Sequence, residues 1–223
     1  MIVTIGQPGL FPWWGTFAKI AASDVVVHLD HVSWQKGGYL NRFRTRVGEH
    51  GRWSTIPLSG AHLGTPISQM QSAMPSSVLQ SHLERISQLE EREHSADAAG
   101  LIERTNLAAT ADVCATAIDS TEAVSGYLGL STRSVRSTAL SPSGSSTSML
   151  LGLLKNLGAT AYLFGGGRSG LTNHYLDIGQ LTRNGVAVGV ARYSDAPRTS
   201  VLQRIAASGG GALQGTSMEI EWL

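Results

Sequence analysis

Residues 24–29, DVVVHL, constrain this chain more than any other stretch. Three consecutive valines leave no polar face, so a strand here must be covered on both sides. Such strands belong to parallel sheets flanked by helices. The preceding sequence fits that reading. Residues 3–5 are a short β-type run ending at Gly6. Residues 12–22 then carry Trp13, Phe17 and Ile20 at helical spacing, with Pro12 suited to a first turn. Strand, helix and strand make a β-α-β opening.

The pattern continues along the chain. Residues 39–47, 53–58, 131–140, 159–164 and 186–193 read as strands. Residues 78–93 read as a charged helix with Leu79, Leu83, Ile86 and Leu89 as its apolar stripe, and residues 101–117 as a second helix. Helices are expected again at 149–157, with Gly158 as a stop, and at 198–208. The run SPSGSST at 141–147 is either a flexible loop or a cap for the helix after it. No repeat occurs at a period of 20 to 50 residues. The expected fold is α/β: a single domain over 1–223, with a mostly parallel sheet flanked by helices and a helical insertion near 75–120.

Composition narrows the function classes. Seventeen basic and 16 acidic side chains leave a net charge of +1, so no excess positive surface exists for nucleic acid. One cysteine, Cys114, excludes an intrachain disulfide and a multi-cysteine zinc site. The N-terminus lacks the basic region of a signal peptide, and no apolar run approaches the roughly 20 residues that span a bilayer. A soluble, cytoplasmic protein with no membrane partner is expected.

Four stretches could carry chemistry. The loop GQPGLFP at 6–12 follows a strand and precedes a helix, where backbone N–H groups and the Gln7 amide suit an anion. An ordinary Pro/Gly turn has the same composition. The strand end His28-Leu-Asp30-His31 offers Asp30 as a general base, or as the group that orients a histidine base. For His28 a hydrogen-bonded core position is the plainer reading. Residues 36–46, KGGYLNRFRTR, would place Arg42, Arg44 and Arg46 on one strand face with Leu40, either as an anion-binding row or as a solvated edge. The loop GGGRSG at 165–170 lets a ligand approach the backbone, with His174 and Tyr175 close behind. It lacks the lysine of a P-loop and the spacing of a dinucleotide fingerprint. No G-x-S-x-G elbow accompanies the serines at 145–148. Cys114, in an Ala/Thr-rich helix, reads as a buried thiol.

The N-terminal block resembles the WbqC-like proteins of bacterial surface-polysaccharide gene clusters. The family pattern Q-P, P-W-x-G-x-F-x-K-I, A-D-V, L-D-D-V, N-R and W-x-x-x-P corresponds to Gln7-Pro8, residues 12–20, 23–25, 29–32, Asn41-Arg42 and 53–57. Residues 157–163, Gly165-Gly166, Tyr175-Leu176 and Gly185-Val186 are similar to its C-terminal half. Two positions depart from the pattern. Gly6 stands where the family has histidine, and His31 where it has a second aspartate. The resemblance implies transfer of an amino acid such as glycine, or another acyl group, onto an amino sugar. The opening is also similar to that of the adenylyl/cytidylyltransferases with an H-x-G-H motif, although the matching stretch, residues 13–17, has no histidine.

These readings converge on a tailoring transferase that moves an acyl or aminoacyl group onto an amine of an amino sugar or secondary-metabolite intermediate. Asp30 and His31 are the expected catalytic pair. Gln7, Pro8, Trp13, Lys36, Asn41, Arg42, Gly165, Gly166, His174 and Tyr175 are expected around the substrate. No metal or cofactor is called for. The partner is a small molecule, free or linked to a carrier protein or nucleotide. A nucleotide-binding protein of the nucleotidyltransferase type and a non-catalytic binding or scaffold protein are the alternatives.

Overall fold

The computed structural model describes residues 1–47, 50–60, 62–75, 92–105, 111–165, 176–193, 199–215 and 217–223. The strands are Ile2–Gly6 (β1), Val25–His28 (β2), Arg42–Val47 (β3), His50–Thr55 (β4), Leu58–Ser59 (β5), Gln71–Ser72 (β6), Arg133–Arg136 (β7), Ala161–Gly165 (β8), Ala187–Tyr193 (β9) and Met218–Trp222 (β10). The described α-helices are Trp14–Ala21 (α1), Ser95–Arg104 (α2), Val113–Tyr127 (α3), Ser146–Leu157 (α4), Ile178–Arg183 (α5) and Val201–Ser208 (α6).

Six strands form the central sheet in the order β10-β9-β8-β1-β2-β7. All neighbours are parallel except β10 on β9. The valine run is the reason the sheet is covered twice. Val25 and Val27 join Val3 and Ile5 in a core with Leu151, Leu153 and Leu154 of α4. Val26 points the other way, into a core with Phe17 and Ile20 of α1 and Leu202 and Ile205 of α6. Each buried valine contributes roughly 2 kcal/mol, and a polar residue at any of the three would desolvate without a partner.

The chain runs from β1 outward through β2 to β7, then returns to the far side of β1 for β8 and β9. Its direction of travel therefore reverses between β1 and β8. In doubly wound sheets the crevice outside the carboxyl ends of the two strands at such a reversal is the usual ligand position.

Local signals set several boundaries. Gly158 ends α4 in the left-handed conformation at φ 68°. The run at 141–147 holds the cap of that helix, with the Ser148 hydroxyl donating to the Ser145 carbonyl at 2.6 Å. The Trp13 ring lies so close to Gly15 that a β-carbon there would enter it, which gives a physical reason for the W-x-G spacing.

Other boundaries differ from expectation. Pro12 precedes α1 and does not sit in its first turn. The expected helix at 101–117 is two helices. The first ends at Arg104. The second starts where the Asp112 side chain accepts from Ala115 N at 2.9 Å. Most of the expected helix at 78–93 lies outside the described residues, and Arg92 and Glu93 are not helical. The expected strand at 131–140 stops at Arg136, and Ser137–Leu140 turns into a 3-10 helix. The strands at 39–47 and 53–58 are not part of the main sheet. β3 and β4 form their own antiparallel hairpin, with Phe43 and Thr45 buried and Arg42 and Arg44 on the opposite face. Leu40 precedes the strand and is buried, so it does not share the arginine face.

Candidate functional site

The carboxyl end of β2 carries a closed polar network. The Asp30 carboxylate is fully buried. It accepts from Arg136 Nε at 2.8 Å, Ser137 Oγ at 2.7 Å, and Thr138 N and Oγ1 at 2.9 and 2.7 Å. Burial pushes its pKa up, but the Arg136 guanidinium and the Ser137 and Thr138 donors outweigh that and hold it at about 2. A carboxylate so saturated is a poor proton acceptor at neutral pH. The geometry does not fit the expected role of Asp30 as the base. It fits the other role open to it, the group that orients a histidine.

That histidine is the half-buried His31, whose Nδ1 lies 2.7 Å from Ser137 Oγ. The tautomer follows from counting protons. Ser137 has one hydroxyl hydrogen, and an ionised Asp30 Oδ1 at 2.7 Å takes it. The Ser137 oxygen also accepts from Asp30 N at 3.1 Å. His31 Nδ1 must then be the donor, which leaves the lone pair of a neutral His31 on Nε2. Asp30, Ser137 and His31 thus form a chain that fixes the imidazole's orientation and its basic nitrogen.

A second feature lies at the reversal point. A narrow cavity of about 40 Å³ opens at the ends of β1 and β2 beside α1, and Gln7, Thr16, Lys19, His28 and Thr121 are among its lining. Lys19 reaches across from α1 to β8, where a β-carbon on Gly165 would stand 3.7 Å from its Nζ. Burial lowers the Lys19 pKa to about 8. His28 is buried, its Nε2 has no hydrogen-bond partner among the described residues, and burial lowers its pKa to about 4. It is a core histidine, but not a satisfied one.

Of the expected substrate residues, Gln7 and Gly165 meet around Lys19. Pro8 is buried in the adjoining loop. Trp13 packs edge-on against Trp14 and Tyr193, at centroid distances of 5.3 and 4.7 Å. Lys36 is exposed. Asn41 donates to the Ile56 carbonyl at 2.7 Å, and Arg42 holds the Gly37 and Gly38 carbonyls while stacking 4.2 Å from the Trp53 ring. These two side chains brace the base of the hairpin, and neither lines the cavity. Gly166, His174 and Tyr175 lie outside the described residues.

Sequence reasoning missed Lys19, Arg136, Ser137 and Thr138. Lys19 had a signal, as one of only three lysines, placed in a helix with buried Phe17, Ala18 and Ile20. The other three had none, being more than 100 residues from the aspartate they surround. Among the described residues no three His, Cys, Asp or Glu side chains converge on a metal position, and no helix is long and apolar enough to cross a membrane.

Fold and site together define a doubly wound α/β protein with a narrow cavity and a buried polar network at the carboxyl ends of its central strands. The model of the WbqC-like protein family matches residues 7–202, so the chain belongs to that family. Comparisons with characterised proteins and with solved structures give no significant match.

Proposed function

We propose that the chain is a transferase that moves an acyl or aminoacyl group onto an amine of an amino sugar or secondary-metabolite intermediate. The observation that carries the reading is the Asp30–Ser137–His31 chain, because it leaves a fixed basic nitrogen at the carboxyl end of β2, the edge where sheets of this kind usually take ligands. The amine nitrogen attacks the donor carbonyl, forming the C–N bond. His31 Nε2 takes the nitrogen's proton. The bond to the leaving group, a thiolate or phosphate, breaks, and the proton returns to that group. Asp30 and Ser137 are positioning residues. Gln7 and the backbone at Gly165 face the donor. Substrate contacts by Lys36, Gly166, His174 and Tyr175 belong to the same proposal, while the Asn41 and Arg42 side chains are taken up by the hairpin.

A second reading, a nucleotide-binding protein of the nucleotidyltransferase type, is favoured by the reversal between β1 and β8, where many doubly wound sheets hold nucleotides. Thermal unfolding against thioesters, a loaded carrier protein, sugar nucleotides and nucleoside triphosphates separates the two. A ligand at 100 times its Kd stabilises by about 2.7 kcal/mol, or roughly 5–10 °C at this size. Stabilisation by nucleoside triphosphate alone favours the second reading. With a donor in hand, His31→Gln is expected to lower kcat about 100-fold or more, and full turnover by that variant removes the base from the mechanism.

A further inference from the structure

The cavity at the reversal point has a charge imbalance that the transfer chemistry does not use. Its described lining contains one cation, Lys19, one histidine, His28, and no carboxylate. No described carboxylate lies within ion-pair distance of Lys19. Lys19 is half-buried, so its ammonium is partly desolvated, and an anion beside it offsets that cost. His28 Nε2 is buried and has no hydrogen-bond partner among the described residues, which makes it a second polar group free to meet a ligand. As the Nε2–H tautomer it is a donor. Gln7 and Thr16 also line the cavity.

Size limits what can enter. About 40 Å³ has room for roughly three waters, far less than the 300–1,000 Å³ of pockets that enclose whole drug-sized ligands. The occupant is therefore a small group, and for a larger ligand only one end of it enters. We infer that this cavity binds a small oxyanion, a carboxylate or phosphoryl group at the end of the donor, through Lys19 and His28. The inference rests on the reading that ligands enter at this edge of the sheet, and extends it by assigning the donor an anionic terminus.

The small number of lysines makes the test residue-specific. The chain has three, Lys19, Lys36 and Lys155. The full-length protein is labelled with acetic anhydride, and each lysine is followed by mass spectrometry with inorganic phosphate, with a small dicarboxylate, or with chloride at equal ionic strength. Phosphate or the dicarboxylate is expected to slow labelling of Lys19 at least fivefold while Lys36 and Lys155 change by less than twofold. Which anion protects identifies the phosphoryl or carboxylate source. Equal slowing at all three lysines, or none at Lys19 with either anion, overturns the inference. Isothermal titration of the protecting anion into Lys19→Met and Lys19→Arg adds a second check. The methionine variant is expected to lose binding and the arginine variant to keep part of it, and undiminished binding by folded Lys19→Met overturns the assignment. Neither readout needs turnover. Protection without transfer leaves the oxyanion site standing and removes the transferase reading, and transfer without protection does the reverse.

Discussion

Asp30→Asn tests the network at the end of β2. The carboxylate takes four hydrogen bonds at 2.7 to 2.9 Å and is fully buried. The amide keeps the shape and one acceptor oxygen. It places an NH₂ group against two donors, Arg136 Nε and Thr138 Oγ1, and removes the charge that faces the guanidinium. Breaking a buried ion pair on one side costs about 3–5 kcal/mol. Arg136 keeps 40% of its side chain exposed, so water recovers part of its solvation, and the lower end, about 3 kcal/mol, is expected. That lowers Tm by roughly 6–12 °C. The pH dependence gives an independent check. The native carboxyl titrates near 2, below its ordinary value of 3.8. Its folded pKa is depressed, so its contribution, about 2 kcal/mol, is present above pH 4 and lost as pH falls toward 2. The asparagine has no such titration, and His28 titrates in both proteins. Urea unfolding followed by tryptophan fluorescence is expected to show a wild-type advantage that narrows between pH 5 and pH 3. A gap below about 1 kcal/mol at pH 7, or one that does not change with pH, refutes the clamp.

Three further outcomes follow from single positions. The His28 pKa is lowered from 6.5 to about 4, so the unfolded chain binds a proton between those values that the folded chain refuses. Wild-type stability is expected to fall by about 3 kcal/mol as pH drops from 6.5 to 4, and His28→Gln, measured by urea titration, is expected to flatten that slope. Gly158→Ala forces a β-carbon into the left-handed conformation at φ 68° and is expected to cost about 1 kcal/mol, read from the denaturation midpoint. Cys114 is buried and its thiol is pushed up to about 12, chiefly by burial, so its reaction with an aromatic disulfide is expected to follow global unfolding in a urea series. Fast labelling of the native protein contradicts its burial.

The β-α-β opening, the doubly covered valine strand and the glycine stop after α4 were legible in the sequence because each follows from neighbours a few residues apart. Three consecutive valines demand cover on both faces whatever the rest of the chain does. Gln7 and Gly165 were legible as loop positions after strands. Their meeting at Lys19 was not, since it depends on β8 lying beside β1. The strand at 131–140 was mistaken in extent because Ser137 and Thr138 are drawn out of the β pattern by a carboxylate 107 and 108 residues away. The same distance concealed the change in Asp30 from a base at a strand end to a saturated anchor for His31. Nothing local marked β10, which runs antiparallel against β9 at the sheet edge. Hydrophobic periodicity reports which residues must leave water. The order in which strands line up is decided by how all the buried faces can be covered at once, and that order alone sets which polar side chains meet at the strand ends.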